Sequence, residues 1–312
     1  MSIARSSLGR GPAVVTFNSL NFFTRDDLVV RHAPVWNPVN TSLHGTVDRF
    51  IRDRVYKISL KLWGAWENLS TLFPSYAMNP TAGTSIFGTS DVTLVILARN
   101  GDKITYTNAR ITKVANLYLG VDADLFSADV EFTAILANSA NPEDANAYYT
   151  LATGQSYAET SFAKTNFKRL RFAGAWGAIT GFTAIVAQKG FSVGWDLDAR
   201  PLLCDGLGTV DFTVGENTLQ GTCKAIPIQP TLAQIEANAS AQGVQLGTLL
   251  STASADLVLT ANGGSPAITL KNAGISEHGY AFGIEPLRVG EVTWMTTRGF
   301  SSGTAAAVGV IA

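Results

Sequence analysis

The residues that could do chemistry are few, and each has a structural reading beside the chemical one. Ser192 lies in Gly190-Phe191-Ser192-Val193-Gly194, which fits G-x-S-x-G. In a hydrolase this pattern occupies a sharp strand-to-helix turn that lifts the serine hydroxyl into a site. Here Trp195-Asp196-Leu197-Asp198-Ala199-Arg200-Pro201 follows, with a proline and no helical period. A strand residue is therefore expected at Ser192, and no catalytic role. The histidines are His32, His44 and His278, and none stands in a metal-ligand spacing, so no metal is expected. Gly206-Leu207-Gly208 lacks the third glycine of a dinucleotide turn, and no cofactor is expected. Cys204 and Cys223 read as small buried residues, with a disulfide the less favoured reading.

The charged residues suggest contacts more than catalysis. Arg49, Arg52 and Arg54 precede a strand that carries Lys57 and Lys61 on its polar side. Lys168, Arg169 and Arg171 form a second basic run. These eight are the candidate intersubunit contacts. Glu131 and Glu291 are candidate channel or interface acids, because they recur at matching places in the two halves of the chain. The formal net charge is −1, which argues against a protein whose task is gripping nucleic acid, since neutralising phosphates needs a basic excess. Only 15% of residues are charged, which suits a surface partly covered by neighbouring subunits.

An internal repeat positions these residues. Gly45-Thr46-Val47-Asp48 returns as Gly208-Thr209-Val210-Asp211, and Pro38 and Gly11 return at the same offset as Pro201 and Gly174. Asn108-Ala109-Arg110-Ile111 returns as Asn272-Ala273-Gly274-Ile275, and Asn100-Gly101 as Asn262-Gly263, with small drifts that fall in loops. Ordered matches of this kind point to a duplicated unit. The expected organisation is a first copy over 1–136 with an N-terminal arm, a linker or arm over 137–168, and a second copy over 169–312.

Each copy reads as strands, one helix, a hairpin and further strands. Tyr56, Ile58, Leu60 and Leu62 alternate with Lys57, Ser59 and Lys61, a half-buried strand. Its second-copy counterpart, through Leu219, Gly221, Cys223 and Ala225, carries smaller inward residues, so two differently packed cores are expected. Asn100-Gly101 signals a hairpin between Val92–Ala98 and Lys103–Thr107. Helices are expected near Glu67–Tyr76, interrupted by Pro74, and from Pro230 to about Ala241. A strand is expected at Leu28–Arg31. The segment 137–168 is expected to be a surface linker whose aromatics, Tyr148, Tyr149, Tyr157 and Phe162, dock on something. No apolar run approaches the ~18 residues needed to span a membrane, and no signal peptide is read at the start, so folding in a cytoplasm is expected.

Duplication, β-rich elements, one helix per copy, low charge and missing chemistry together resemble the tail tube proteins of bacteriophages. The resemblance is to those of long non-contractile tails whose subunit carries two tube domains. It rests on element order over nearly the whole chain, not on a sequence signature. It implies a mainly β fold: two tandem tube-like β-sandwich or barrel domains, each with a flanking α-helix and long hairpins or arms. It implies a non-enzymatic virion protein, assembled in the host bacterial cytoplasm. Three chains would close a pseudo-hexameric ring, rings would stack through arms and hairpins, and double-stranded DNA would pass through without specific binding. Other partners would be tail proteins at the tube ends. Two further readings are a tube-related distal, hub or injection-machine ring, and a carbohydrate-binding or adhesive sandwich using Trp36, Trp63, Trp66, Trp176, Trp195 or Trp294.

Overall fold

The computed structural model describes residues 12–25, 30, 32, 35–78, 83–120, 125–138, 140–141, 144–158, 170–176, 184–215, 220–229, 255–281, 288–296 and 308–311. The chain is mainly β. Its N-terminal half carries β1 (Ala13–Phe17), β2 (Leu20–Phe23), β3 (Val35–Thr41), β4 (Gly45–Asp53), β5 (Tyr56–Gly64), β6 (Leu94–Ala98), β7 (Lys103–Tyr106), β8 (Asn108–Leu119), β9 (Phe126–Ile135) and β10 (Tyr149–Ala152). Its C-terminal half carries β11 (Phe172–Trp176), β12 (Val186–Asp196), β13 (Ala199–Cys204), β14 (Gly208–Val214), β15 (Gln220–Gln229), β16 (Ala255–Ala261), β17 (Ala267–Ala281), β18 (Arg288–Thr296) and β19 (Val308–Ile311).

Fifteen of these strands form one antiparallel sheet. Its order is β10-β7-β6-β1-β2-β5-β9-β8-β12-β15-β18-β17-β16-β11, with β19 paired on β17. The path crosses from one half of the chain to the other at β8–β12. An isolated bridge from Gly174 to Ile185 brings β11 back beside β12, so the C-terminal half wraps onto itself. The alternation read from sequence is realised in β5, where Tyr56, Ile58, Leu60 and Leu62 are buried and Lys57, Ser59 and Lys61 are exposed. Burying the apolar members against Phe17, Val130 and Phe132 contributes roughly 1.5–3 kcal/mol per large side chain.

Two hairpins stand apart from this sheet. β3 pairs only with β4, and β13 only with β14. Their registers coincide residue for residue. Pro38 faces Arg49, Val39 faces Asp48, Asn40 faces Thr46 and Thr41 faces Gly45. Pro201 faces Phe212, Leu202 faces Asp211, Leu203 faces Thr209 and Cys204 faces Gly208. Both ladders shift at the valine of the shared tetrad, Val47 or Val210, which is the extra residue of a β-bulge. Gly45 and Gly208 have φ of +67° and +74°, a region that favours glycine.

The inner ladders also correspond. Ile111 faces Phe132 and Lys113 faces Glu131, with Thr112 bulged between. Ile275 faces Trp294 and Glu277 faces Thr293, with Ser276 bulged between. The bulge hydroxyl donates to a carbonyl across the ladder in each case, Thr112 to Glu131 and Ser276 to Thr293. Where the first half buries Ile58 against Phe132, the second pairs Cys223 with Trp294. A small strand residue thus meets a larger partner there, and the buried residues of both halves belong to one continuous cluster.

Several expectations need adjustment. The segment after β5 is a 3-10 helix, Trp66–Leu72, and Pro74 separates it from a single α-turn, Ser75–Met78. The 137–168 stretch is partly ordered into the sheet. A 3-10 turn at Ala145–Ala147 leads into β10, which pairs with β7. Tyr148 and Tyr149 do dock, on Tyr56 of their own chain. Cys223 is buried, but Cys204 is exposed, because β13 belongs to a protruding hairpin. The helix expected from Pro230, and Phe162, lie outside the described residues, and of the strand expected at Leu28–Arg31 only Val30 is described, with no strand assigned there.

Candidate functional site

The seam between β8 and β12 is where the G-x-S-x-G glycines act. Phe191 faces Leu119, Ser192 faces Tyr118, Val193 faces Leu117, Trp195 faces Val114 and Asp196 faces Lys113. A Cβ on Gly190 would lie 2.0 Å from the Leu119 carbonyl oxygen, and Gly190 has φ +81°. A Cβ on Gly194 would lie 2.5 Å from the Ala115 carbonyl oxygen. Both glycines let β12 approach the β8 backbone more closely than any side chain permits. Ser192 sits within β12, and its hydroxyl donates to Asn116 at 3.1 Å. The strand continues past it to Asp196, so the helix of a nucleophile elbow does not follow.

The seam is backed by Trp195, which is buried and donates its indole N–H to the Leu72 carbonyl at 2.9 Å. A second attachment joins the halves through the β13–β14 hairpin. Gly83 and Ile86 donate backbone N–H groups to the Val214 and Phe212 carbonyls, and Val214 donates to Thr84. Phe87 donates its N–H to the Asp211 carboxylate at 3.1 Å, and the Phe87 and Phe212 rings pack at 5.9 Å. Asp53, at the end of β4, accepts the Thr209 N–H at 2.9 Å and the Thr209 hydroxyl at 2.6 Å.

Arg110 holds the receiving segment in place. Its guanidinium donates to the Phe87 and Ser90 carbonyls, both at 2.6 Å, and to Ala109 and Asn108. Burial lowers its pKa, and Tyr76, Asp91 and Asp211 oppose that lowering. The side chain is a buried cation whose donors are spent on backbone carbonyls, which is how a buried charge is tolerated.

One face of the continuous sheet is polar across the seam. It carries Lys57, Ser59 and Lys61 on β5, Asp129 and Glu131 on β9, Lys113 and Tyr118 on β8, Ser192 and Asp196 on β12, and Lys224 on β15. The lysines have carboxylates on adjacent strands. Lys57 lies 3.6 Å from Glu131, Lys113 bonds Asp196, and Lys224 lies 3.5 Å from Glu291. Lys61 faces Asp129 in register and lies over the Tyr118 ring, whose hydroxyl donates to Asp129 at 3.1 Å. The hydrogen bond that Lys113 donates to Asp196 raises the Lys113 pKa, against a smaller desolvation effect. Exposed pairs contribute little to stability, about 0–1 kcal/mol each. Their consequence is electrostatic: cation and anion alternate, so the face offers no basic track to a polyanion.

The expected contact residues divide between these features. Lys57, Lys61, Glu131 and Glu291 lie on the polar face, where each acid is paired with a lysine of its own chain. Arg49 and Arg52 are exposed on β4, while Arg54 stacks over Tyr148 at 5.4 Å. The Arg171 N–H donates to Asn262, joining β11 to the β16–β17 turn. Lys168 and Arg169 lie outside the described residues. Trp66, Trp176, Trp195 and Trp294 are buried, and Trp36 is exposed at 52%, so core anchoring describes most of the tryptophans better than sugar stacking does. Sequence reading missed Asp53, Lys113, Asp129 and Asp196. The acid of Asp53 was visible beside the repeated tetrad, but its partner Thr209 is remote in sequence.

A cluster of His32, Tyr56, Tyr106 and Tyr149 closes the other end of the N-terminal half. The His32 Nε2 is 2.7 Å from the Tyr106 hydroxyl, and its ring packs on Tyr56 and Tyr149. Burial lowers the imidazole pKa and raises that of the Tyr106 phenol. The neutral imidazole and neutral phenol form a packed polar contact that ties β10 to β5 and β7.

No described helix is long and apolar enough to cross a membrane. No family model matches the chain, and no curated protein is significantly similar to it.

Proposed function

We propose that this chain is a ring-forming structural subunit, a tail tube protein of the two-domain kind, and not an enzyme. The observation that carries the reading is the β8–β12 seam. There the two halves join edge to edge inside one sheet, with β8 paired on both sides by β9 and β12. The coinciding registers support duplication, and under duplication the C-terminal part of β17 is the counterpart of β8. Among the described residues, Gly274–Ala281 of β17 pairs with β18 on one side only. An edge used once within the chain and left open at its counterpart is a heterologous interface, which closes a ring when its rotation allows.

The polar face supports the channel role. Lysines neutralised by strand-adjacent acids would line a lumen that DNA crosses without being held. Three chains would give six domains around that lumen, with other tail proteins at its ends, in a virion assembled in a bacterial cytoplasm.

Electron micrographs of the purified chain, with sedimentation velocity over a range of concentration, test the reading. Rings about six domains round that stack into tubes are expected. Rings that never stack would favour a tube-end component, and a chain that stays monomeric at all concentrations would overturn the proposal.

A further inference from the structure

A cavity of about 300 Å³ opens between the β1–β2 turn and the segment 70–76. Arg110 forms part of its wall, although the residue is only 8% exposed. The terminal nitrogens of the guanidinium are spent, Nη1 on Asn108 and Ala109 and Nη2 on Phe87 and Ser90. Its Nε–H has no acceptor among the described residues. The fully enclosed side-chain atoms without a partner are the indole nitrogens of Trp63, Trp66 and Trp294 and the Thr269 hydroxyl. Nε is not one of them, so it keeps access to solvent, and the cavity is where Arg110 meets solvent. The charge is unopposed on that side. Asp91 and Asp211 act on the guanidinium, but Asp91 accepts from Asn138, and Asp211 from Phe87 and Phe212. Among the described residues no acid lines the cavity. The ladder itself does not need a cation here. Arg110 faces Thr133, whereas its sequence match Gly274 faces Met295 in the second ladder.

We infer that this cavity binds a small organic carboxylate, one oxygen of which accepts the Arg110 Nε–H. The rest of the wall fits such a ligand. Phe17, Pro74 and Val92 offer apolar surface to its body, and Asn18, Ser70 and Thr71 offer amide and hydroxyl donors to its second oxygen. A hydrogen bond to an ionised partner on both sides is the strong kind, and it gains further where water is scarce. The volume equals that of about ten waters at ~30 Å³ each, which limits the ligand to about ten non-hydrogen atoms. Phosphate fits less well, because it has no apolar body and a single guanidinium N–H replaces the usual two-pronged grip. The site lies within one chain and does not depend on assembly.

Benzoate and benzamide share a skeleton and differ in charge, so they are the probes. Thermal midpoints are measured at fixed ionic strength for the unaltered chain, Arg110→Gln and Thr71→Phe, each kept dilute enough to stay unassembled in sedimentation. Thr71→Phe fills the cavity and leaves the guanidinium in place, and circular dichroism checks that both variants fold. Benzoate at ten times a Kd of about 1 mM should raise the midpoint of the unaltered chain by about 3 °C. Benzamide should raise it far less, and both variants should lose the benzoate response. If Arg110→Gln does not fold, Thr71→Phe decides alone. No shift with benzoate, an equal shift with benzamide or with inorganic phosphate, or a benzoate shift undiminished in Thr71→Phe would each overturn the inference. A chain that binds benzoate and never assembles would keep this site and lose the assembly reading.

Discussion

Asp53 and Thr209 meet across the boundary between the two halves, the carboxylate accepting both the Thr209 N–H at 2.9 Å and its hydroxyl at 2.6 Å. Thr209 is almost wholly buried, and Gly208 beside it leaves room for the acid: a Cβ there would lie 2.8 Å from an Asp53 oxygen. One residue of the repeated tetrad thus serves as a receptor for the acid that follows the other copy of that tetrad.

Asp53→Ala should therefore loosen the β13–β14 hairpin before it disturbs the sheet. Hydrogen bonds to a charged group contribute about 1.5–3 kcal/mol each, and part of that is recovered by water at this half-buried site. A loss of about 2 kcal/mol is expected in chemical denaturation. Limited proteolysis should cut first within residues 198–215. Unchanged stability with an unchanged cleavage pattern would count against the cap.

Gly190→Ala and Gly194→Ala should separate β12 from β8. Each new methyl meets a carbonyl oxygen of the facing strand, and a backbone atom cannot swing aside as a side-chain tip can. Gly190→Ala carries the added strain of a positive φ and should be the worse of the two, at about 3 kcal/mol or more. Ser192→Ala, which removes only the hydroxyl bonded to Asn116, should cost less than about 1.5 kcal/mol. Urea midpoints for the three variants check the order. A reversed order would mean that the serine, not the glycines, governs the motif.

Acidification should weaken the packing around His32. Burial lowers its pKa below the ordinary value of 6.5, so the unfolded chain takes up a proton at a pH where the folded chain does not. Stability is therefore full above about pH 6.5 and falls as pH drops toward the folded value, below which the loss levels off. Among the described residues, the ring partners of His32 are Tyr56, Tyr106 and Tyr149, none of them a carboxylate. His32→Phe should reduce this part of the dependence while keeping an aromatic ring in the cluster. Thermal midpoints of both proteins between pH 5 and 7.5 check it, and parallel curves would assign the acid sensitivity elsewhere.

The fold was legible where period-2 alternation is strong. Tyr56 to Leu62 dictates β5, and Asn100-Gly101 dictates the β6–β7 turn, where Gly101 has φ +87°. Register repeats at Gly45 and Gly208 were legible as a shared tetrad, because only glycine suits that turn. Cys204 misled because cysteine is commonly buried, while its strand belongs to a protruding hairpin. Tyr149–Ala152 misled because a polar Ala/Asn/Thr-rich segment can still pair through its backbone with β7. The polar face was half legible. Lys57, Lys61, Glu131 and Glu291 were named as charges, but their neutralisation depends on strand neighbours such as Lys113 and Asp196, which are 83 residues apart. The clash of Gly190 with a β8 carbonyl likewise follows from a pairing between halves that no local pattern encodes.

The balance of the polar face yields a prediction about passing DNA. Asp129→Asn, Glu131→Gln and Asp196→Asn together remove three negative charges and leave Lys57, Lys61 and Lys113 without opposing carboxylates. The substitutions are near-isosteric and lie on exposed or half-buried positions, so the fold should survive with small losses at each pair. If this face lines a channel, assembled variant tubes should bind short double-stranded DNA, which the unaltered tubes should not retain. Each new phosphate contact makes binding fall with salt at a slope of about −0.9 in log–log terms, so a slope near −3 per interior site is expected. Binding measured by fluorescence anisotropy from 50 to 300 mM salt checks this. Equal, negligible binding by intact tubes of both proteins would place the face away from the lumen. Equal binding by dissociated subunits and by tubes would mean that the face is exposed on the outside of the assembly.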